Sequence, residues 1–89
     1  MPSRFKVTLG IMPDYVYNKT KGLRVDAVLP GKSAYNGGMK DGDIIIKMGN
    51  KSVNDIYEYM HRLSEYSAGD KTEVVVMRNN EKVLLEVIF

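Results

Sequence analysis

Few side chains in this chain of 89 residues could do acid–base or nucleophilic chemistry. There is one histidine, His61, and no cysteine, so a catalytic zinc site would depend almost entirely on carboxylates, which is unusual for that metal. Asp41 and Asp43 flank Gly42 in a tight turn and are better interpreted as turn residues than as an acid–base pair. No serine lies in a nucleophile-elbow sequence, and no phosphate-binding loop occurs. We therefore expect no catalysis by this chain alone and no bound cofactor or metal.

The composition is that of a single ordinary globular domain. Apolar residues make up 44% and charged residues 27% of the chain. A net charge of +2 is too small to favour nucleic acid or a charged membrane surface as a partner. No apolar run approaches the roughly 20 residues needed to span a bilayer. We expect one monomeric domain with no nucleic-acid partner and no membrane insertion.

The most informative stretch of the chain is residues 28–46. Pro30 and Gly31 end an apolar strand, because proline donates no ladder hydrogen bond and glycine tolerates positive φ. Ser33 can then cap a one-turn helix, and Ala34 lets that helix lie close to a sheet. This half of the stretch predicts a strand, a turn and a very short helix.

The second half of the stretch predicts a helix end, a turn and a buried strand. Gly37 and Gly38 end the short helix, one of them in the left-handed conformation. Met39 fills the core before a tight turn at residues 41–43. The apolar run at residues 44–46 follows at once, which indicates a strand buried on both faces.

Alternation of apolar and polar residues predicts strands on both sides of this stretch. Residues 4–11 alternate, which indicates a strand with one buried face, and Gly10 inside it marks a bulge or a close backbone approach. Residues 22–28 alternate too and pair back across a turn at residues 18–22. Near the C-terminus, the strands at residues 71–78 and 82–89 flank a short hairpin turn.

A helix is predicted to begin after Asn54 or Asp55, either of which can cap it, and to run to about Tyr66. Glu58 supplies an acidic residue in its first turn. Two overlapping apolar stripes suit a helix that packs on a core and also forms one wall of a groove. Both stripes could equally belong to the core. The first stripe is Ile56, Met60 and Leu63, and the second is Tyr59, Leu63 and Tyr66.

The ordered string at residues 28–46 resembles the PDZ domain family. Members of that family share the strand, the segment of small residues, the short helix, the Gly-Met pair, the x-Gly-Asp turn and the apolar strand. The alternative is a strand–helix–strand connection in another small α/β domain. The resemblance covers residues 5–89 and leaves residues 1–4 as a linker or the edge of a cloned fragment. It implies an α+β fold with five to six antiparallel strands in a partly open barrel or sandwich, capped by one short helix and one of about three turns.

The order of elements indicates a branch of the family. The carboxylate-binding loop that the resemblance implies lies near the N-terminus, and an additional strand at residues 82–89 closes the chain. This order of elements resembles that of the circularly permuted PDZ domains of bacterial proteases. The opening at residues 9–15 resembles PDZ domains appended to bacterial zinc aminopeptidases. The resemblance also suggests a location in the bacterial cell envelope or periplasm, or secretion.

The resemblance implies that residues 8–11 form a carboxylate-binding loop, whose backbone N–H groups hold the C-terminus of a peptide. The peptide would add a strand beside the strand that begins at Ile11. Its last side chain, expected to be apolar, would enter a pocket between that strand and the longer helix. Arg4 or Lys6 could add weak long-range attraction for the carboxylate. The residues so assigned to peptide binding are Thr8, Leu9, Gly10, Ile11, Met12, Pro13, Ile56, Met60 and Leu63.

Pro13 departs from what this mechanism needs. The residue two positions after Ile11 should donate a hydrogen bond to the peptide, and proline has no N–H. The loss is roughly 0.5–1.5 kcal/mol of binding free energy. Two alternatives to peptide capture therefore stay open: a domain that docks against its own protease, and a fragment that helps to shape a peptidase active site.

Overall fold

The computed structural model describes residues 7–17 and 19–89, which form a six-stranded antiparallel sheet with two helices. The strands lie in the order β1-β2-β3-β5-β6, and the short β4 pairs with β3 off this path. The predicted α+β fold is confirmed. The elements in chain order are β1 (Ile11–Pro13), β2 (Leu23–Val28), α1 (Ser33–Asn36), β3 (Ile44–Met48), β4 (Lys51–Ser52), α2 (Ile56–Leu63), β5 (Lys71–Arg78) and β6 (Glu81–Ile88). The predicted linker at residues 1–4 lies outside the described residues. So do Arg4 and Lys6, which were expected to attract the ligand carboxylate.

The core combines side chains from the strands, both helices and the segment before β1. Ile45 is fully buried in β3, whereas its neighbours Ile44 and Ile46 are half-buried, so the prediction of a strand buried on both faces is only partly right. Met39 is buried as predicted. The buried apolar residues are Leu9, Leu23, Val25, Ala34, Met39, Ile45, Met48, Val53, Tyr59, Leu63, Val74, Val76, Leu85 and Val87.

The segment before β1 is not the strand that alternation predicted. Within the described residues the strand begins only at Ile11. The carbonyl of Leu9 accepts a hydrogen bond from the N–H of Ala34 at 2.9 Å, and the carbonyl of Gly10 accepts one from Leu29 at 2.9 Å. Because these carbonyls bond to the connection between β2 and α1 and to the start of that helix, residues 7–10 form a loop. From Ile11 onward the predicted hairpin is confirmed, since β1 pairs antiparallel with β2.

The start of α1 also differs from the prediction. Lys32 occupies the N-cap position, and no side chain caps the helix, so the expected cap by Ser33 is wrong. The N–H of Ala34 donates instead to the carbonyl of Leu9, so one of the N–H groups that a capping side chain would otherwise bind has a hydrogen-bond partner. At the other end, Gly38 has φ of 94°, as predicted for the left-handed position.

The longer helix, α2, is capped as predicted but is shorter. Asp55 is the N-cap, and its carboxylate accepts a hydrogen bond from the N–H of Glu58 at 2.8 Å. The helix ends at Leu63, three residues before the predicted end. Tyr66 stacks on Phe89 with the ring centroids 5.0 Å apart, so it belongs to the packing against the chain end. Neither helix in the described part of the chain is long and apolar enough to cross a membrane.

Candidate functional site

Within residues 7–17 and 19–89, β1 is the outermost strand of the sheet and pairs only with β2, so its other edge has no strand partner there. The N–H of Asp14 donates to the carbonyl of Arg24 in the neighbouring strand β2, and the carbonyl of Gly10 accepts from the N–H of Leu29, the residue directly after β2, each over 2.9 Å. Backbone groups of alternate residues point to opposite sides of a strand. Ile11 and Pro13 therefore direct their backbone groups away from β2, towards the open edge. This edge offers the N–H and carbonyl of Ile11 and the carbonyl of Pro13.

The loop before β1 requires glycine at its centre. Gly10 has φ of 76°, a conformation that side-chain-bearing residues rarely adopt. A Cβ atom there would lie 2.2 Å from the Cβ of Lys32, so the close approach of the loop to α1 excludes a side chain as well. The carbonyls of Leu9 and Gly10 are both bonded to the rest of the fold, which fixes the direction in which the loop presents its N–H groups.

One of those N–H groups already has an intramolecular partner. The N–H of Gly10 donates to the hydroxyl oxygen of Thr8 at 3.1 Å, two residues earlier in the chain. A ligand carboxylate at this loop would have to displace that hydroxyl or share the N–H with it. The predicted site residue Thr8 is thus in contact with the backbone amide of Gly10.

The predicted site residues on the loop and on β1 differ in exposure. Leu9 is 0% exposed, backbone included, and its side chain belongs to the core, and Gly10 beside it is buried too. Ile11 and Pro13 are half-buried, and Met12 is exposed. A ligand contact of any of these side chains stays a prediction.

On α2, the two apolar stripes prove to have different surroundings. Tyr59 and Leu63 are buried in the core. Ile56 is half-buried and Met60 is 40% exposed, so the first predicted stripe leads from the surface into the core at Leu63. The half-exposed pair provides the apolar surface that a groove wall needs.

Burial raises the pKa of the Tyr59 hydroxyl strongly, and the nearby Tyr15 raises it further. Tyr15 follows β1, whereas Tyr59 is on α2. The connection that follows β1 and the start of α2 line one cleft together, at Tyr15 and Ile56. At neutral pH the Tyr59 hydroxyl is uncharged and serves as part of the core.

The structure places the residues with catalytic potential as follows. His61 is exposed on α2, and no group of three or more His, Cys, Asp or Glu side chains within residues 7–17 and 19–89 could hold a metal ion. Asp41, in the tight turn, accepts a hydrogen bond from the N–H of Val28 at 2.8 Å. This contact agrees with its interpretation as a structural turn residue.

Asp43 has a role that the sequence analysis missed. It is 1% exposed and forms a two-pronged contact with Arg78, with Nε to Oδ1 at 2.8 Å and Nη2 to Oδ2 at 2.7 Å. The N–H of Lys40 donates to the same carboxylate at 2.9 Å. The hydrogen bonds that Arg78 donates to the Asp43 carboxylate raise the pKa of the Arg78 guanidinium. The signal in the sequence was an arginine at the end of an otherwise apolar strand.

This combination of an open strand edge, a glycine loop before it and a helix alongside has counterparts in known proteins. A family model described as "PDZ domain" matches residues 7–89. The periplasmic pH-dependent serine endoprotease DegQ of Escherichia coli K12 is 33% identical over 67 residues, which is 75% of this chain and 15% of that protein.

Solved structures give the same class of domain. An aminopeptidase N family protein from Idiomarina loihiensis superimposes with a TM-score of 0.83 and 26% identity, over 94% of this chain and 14% of that one. The HtrA-type protease AlgW, solved with a decapeptide, gives a TM-score of 0.83 and 25% identity, over 94% of this chain and 29% of its own.

A domain with this sheet, these helices and this loop is a PDZ-type domain, and the chain belongs to the PDZ domain family. It spans about one fifth or less of the length of the curated relatives that it matches. Those relatives are serine endoproteases or protease-like proteins, in which the matching segment is a small part.

Proposed function

We propose that this domain binds the C-terminus of a peptide or protein by adding it as a strand to the open edge of β1. The observation that carries the proposal is the direction of the backbone groups of Ile11 and Pro13, which point away from β2. The ligand would run antiparallel to β1. Its carboxylate would accept hydrogen bonds from the N–H groups of Leu9, Gly10 and Ile11.

The loop geometry supports a carboxylate at this end. Successive N–H groups beside a glycine at positive φ form a concave anion site. The two carbonyls of the loop are bonded elsewhere, so they do not oppose an incoming negative charge. Lys32, whose side chain packs against Gly10, brings a cationic side chain close to the same place. The last side chain of the ligand would contact Ile11 on one wall and Met60 on the other, which favours an apolar residue.

A second candidate function is favoured by Pro13. The open edge lacks one hydrogen-bond donor two residues after the loop, so a captured strand is held by fewer bonds than the edge could otherwise offer. In this candidate the domain docks against its parent peptidase and regulates or shapes that active site. The matches to serine endoproteases and to an aminopeptidase N family protein support a peptidase as the parent. The neighbouring sequence in the full-length gene decides between a zinc aminopeptidase and a serine protease.

The test is a titration of the domain with one peptide in two forms, with a free and with an amidated C-terminus, followed through the backbone amide signals. We expect the free acid to shift the amides of Leu9, Gly10 and Ile11, and the amidated form to bind about ten-fold or more weakly, because hydrogen bonds to charged groups contribute about 1.5–3 kcal/mol.

The variant Pro13→Val restores the missing donor and should tighten binding of the free acid by several-fold, for a gain of roughly 0.5–1.5 kcal/mol. Met12→Val, the matched control one residue away, changes an exposed side chain and leaves the edge donors as they are. If the amidated peptide binds as well as the acid, and Pro13→Val changes nothing, capture of C-termini is wrong and the docking candidate takes its place.

A further inference from the structure

The methionines of the chain differ in their access to solvent. Of the six in the sequence, five lie in the part of the chain that the structure describes. Met39 and Met48 are buried in the core, and Met77 on β5 is half-buried. Among these five only Met12 and Met60 are exposed, at 53% and 40%. These two lie on β1 and α2, the strand and the helix of the proposed binding site.

We propose that Met60 is an oxidation site through which peroxides lower the affinity of this domain for its peptide. The inference rests on the proposed function, because it needs a ligand whose last apolar side chain contacts Met60.

The reaction needs only the thioether and a peroxide. A lone pair of the Met60 sulfur attacks one oxygen of hydrogen peroxide, the O–O bond breaks and an S–O bond forms, and after proton transfer the other oxygen leaves as water. The sulfur is thereby oxidised by two electrons, and the peroxide is reduced by the same two. The product, methionine sulfoxide, is polar, and methionine sulfoxide reductases convert it back to the thioether.

The position of Met60 on α2 supports the proposal. Ile56 and Met60 are four residues apart, so they share one face of the helix. Ile56 lines a cleft together with Asp14 and Tyr15, the two residues that follow β1. Leu63, three residues after Met60, is buried in the core. Met60 therefore lies between a buried and a half-buried apolar residue, on the helix face that lines this cleft.

A sulfoxide at this position opposes the binding of an apolar side chain. In the free domain the 40% exposure of Met60 lets the added oxygen stay hydrated. An apolar side chain that covers Met60 removes that water and offers no hydrogen-bond donor in its place. Because the cost arises only when the ligand is bound, oxidation should weaken binding without unfolding the domain.

Met12 provides an internal comparison. It is more exposed than Met60 and so no less accessible to peroxide. Side chains alternate between the two faces of a strand, so Met12 is directed to the opposite face of β1 from Ile11, the residue proposed to contact the last side chain of the ligand. We expect a sulfoxide at Met12 to stay in water when the peptide is bound.

The test compares the affinity of one peptide before and after the domain is treated with hydrogen peroxide. The peptide is N-acetylated, ends in valine and has a free carboxylate. The same amide titration gives the two dissociation constants, and mass spectrometry of proteolytic fragments identifies the methionines that have gained an oxygen. We expect oxidation to weaken binding by about five-fold or more, because it adds a polar group that the ligand covers without a partner. Methionine sulfoxide reductases should restore the affinity.

Two variants assign the loss to one residue, each through its own ratio of affinities before and after peroxide. Met60→Leu keeps an apolar side chain of similar size but cannot accept the oxygen, so its ratio should be close to one. Met12→Leu is the matched control and should lose about as much affinity as the unaltered domain. A saturating concentration of the peptide should also slow the oxidation of Met60 several-fold and that of Met12 little.

The outcomes separate this inference from the proposed function. If the peptide binds the reduced domain but oxidation leaves its affinity unchanged, or if Met60→Leu loses as much affinity as the unaltered domain, the inference is wrong and the proposed function stands. A fall in the urea midpoint that accounts for the loss of binding would also overturn the inference. If the peptide does not bind the reduced domain, the proposed function is wrong, and the inference is wrong with it.

Discussion

The two edges of the sheet contrast in how completely their strands are paired. The strands β5 and β6 pair along eight residues each, from Lys71 with Ile88 to Arg78 with Glu81, without a register shift. At the opposite edge, β1 is only three residues long, and its register with β2 shifts between Met12 and Pro13. At one edge the last two strands pair over their full length, whereas at the other the outermost strand is held by only three residues.

The turns show the same contrast. The hairpin between β5 and β6 turns through Asn79 and Asn80, with φ of 52° and 65°, the two-residue geometry that matches the twist of paired strands. The loop before β1 also uses a positive φ, at Gly10, but it turns the chain away from pairing with a strand. Positive φ angles therefore make a tight hairpin turn at one edge of the sheet and an irregular loop at the other.

The contact between Asp43 and Arg78 gives the strongest test of the stable region. It joins the end of β5 to the turn before β3, and Asp43 also holds the N–H of Lys40. We expect Asp43→Ala to lower the free energy of unfolding by about 3 kcal/mol, because it leaves the Arg78 charge and a backbone donor without their partner. Urea denaturation followed by circular dichroism measures it.

The matched control is the exposed pair of Lys71 and Glu86 in the same hairpin, whose atoms lie 3.7 Å apart. Glu86→Gln should change the free energy of unfolding by less than about 0.5 kcal/mol, as is usual for surface pairs. A similar effect of both substitutions would contradict the view that the buried contact holds the hairpin to the rest of the sheet.

The turn at Gly42 tests the same region through its backbone. Gly42 has φ of 88°, and its N–H donates to the carbonyl of Val25 at 2.7 Å. No atom nearer than 4.0 Å would contact an added Cβ, so the cost of a side chain is conformational rather than steric. Gly42→Val should destabilise the domain by more than about 1 kcal/mol, because β-branched residues strongly disfavour positive φ.

Gly42→Asn separates conformation from other effects, because asparagine tolerates the left-handed region better than valine does. It should cost clearly less than Gly42→Val in the same denaturation assay. Equal costs for the two variants would show that the side chain is harmful for a reason other than backbone conformation.

The fold was predictable because its signals are local. The glycines at 38 and 42, the cap at Asp55 and the apolar runs each fix a short piece of backbone, and their order gives the topology. The contact of Asp43 with Arg78 was not predictable, since it joins residues 35 positions apart and each alone has an ordinary local explanation. The missing cap at Ser33 has the same cause, because its substitute comes from Leu9 in another part of the chain.

The candidate site was predictable only in outline. Spacing and resemblance predicted the loop, the strand and the helix as the binding elements, and a peptide contact at these elements stays a prediction. Which apolar side chains are exposed depends on packing, and so Leu9 is in the core while Met60 is at the surface. The cleft near Tyr15 and Tyr57 had no signal in the sequence, because its walls come from two elements whose distance only the folded chain sets.

The smallest expected effect is a change in peptide affinity at the open edge, caused by removing the hydroxyl of Thr8. Its oxygen accepts the N–H of Gly10, one of the donors proposed for the ligand carboxylate. Thr8→Val keeps the shape of the side chain and removes the acceptor, so the N–H becomes available at no cost to the ligand. We expect binding of a free C-terminus to tighten by about five-fold at most, since a neutral hydrogen bond contributes about 1 kcal/mol. Thr8→Ser keeps the hydroxyl and should bind like the unaltered domain.

Hydrogen exchange of the Gly10 amide in the free domain gives an independent readout of the same bond. It should be faster in Thr8→Val than in Thr8→Ser, because only the latter retains an acceptor for that N–H. Unchanged exchange would mean that the bond contributes nothing in solution. Weaker binding by Thr8→Val would mean that the hydroxyl contacts the ligand, and then the loop would hold the carboxylate with a side chain as well as with its backbone. Either result would sharpen the contrast with the opposite edge, where a regular backbone ladder joins β5 and β6 over eight residues.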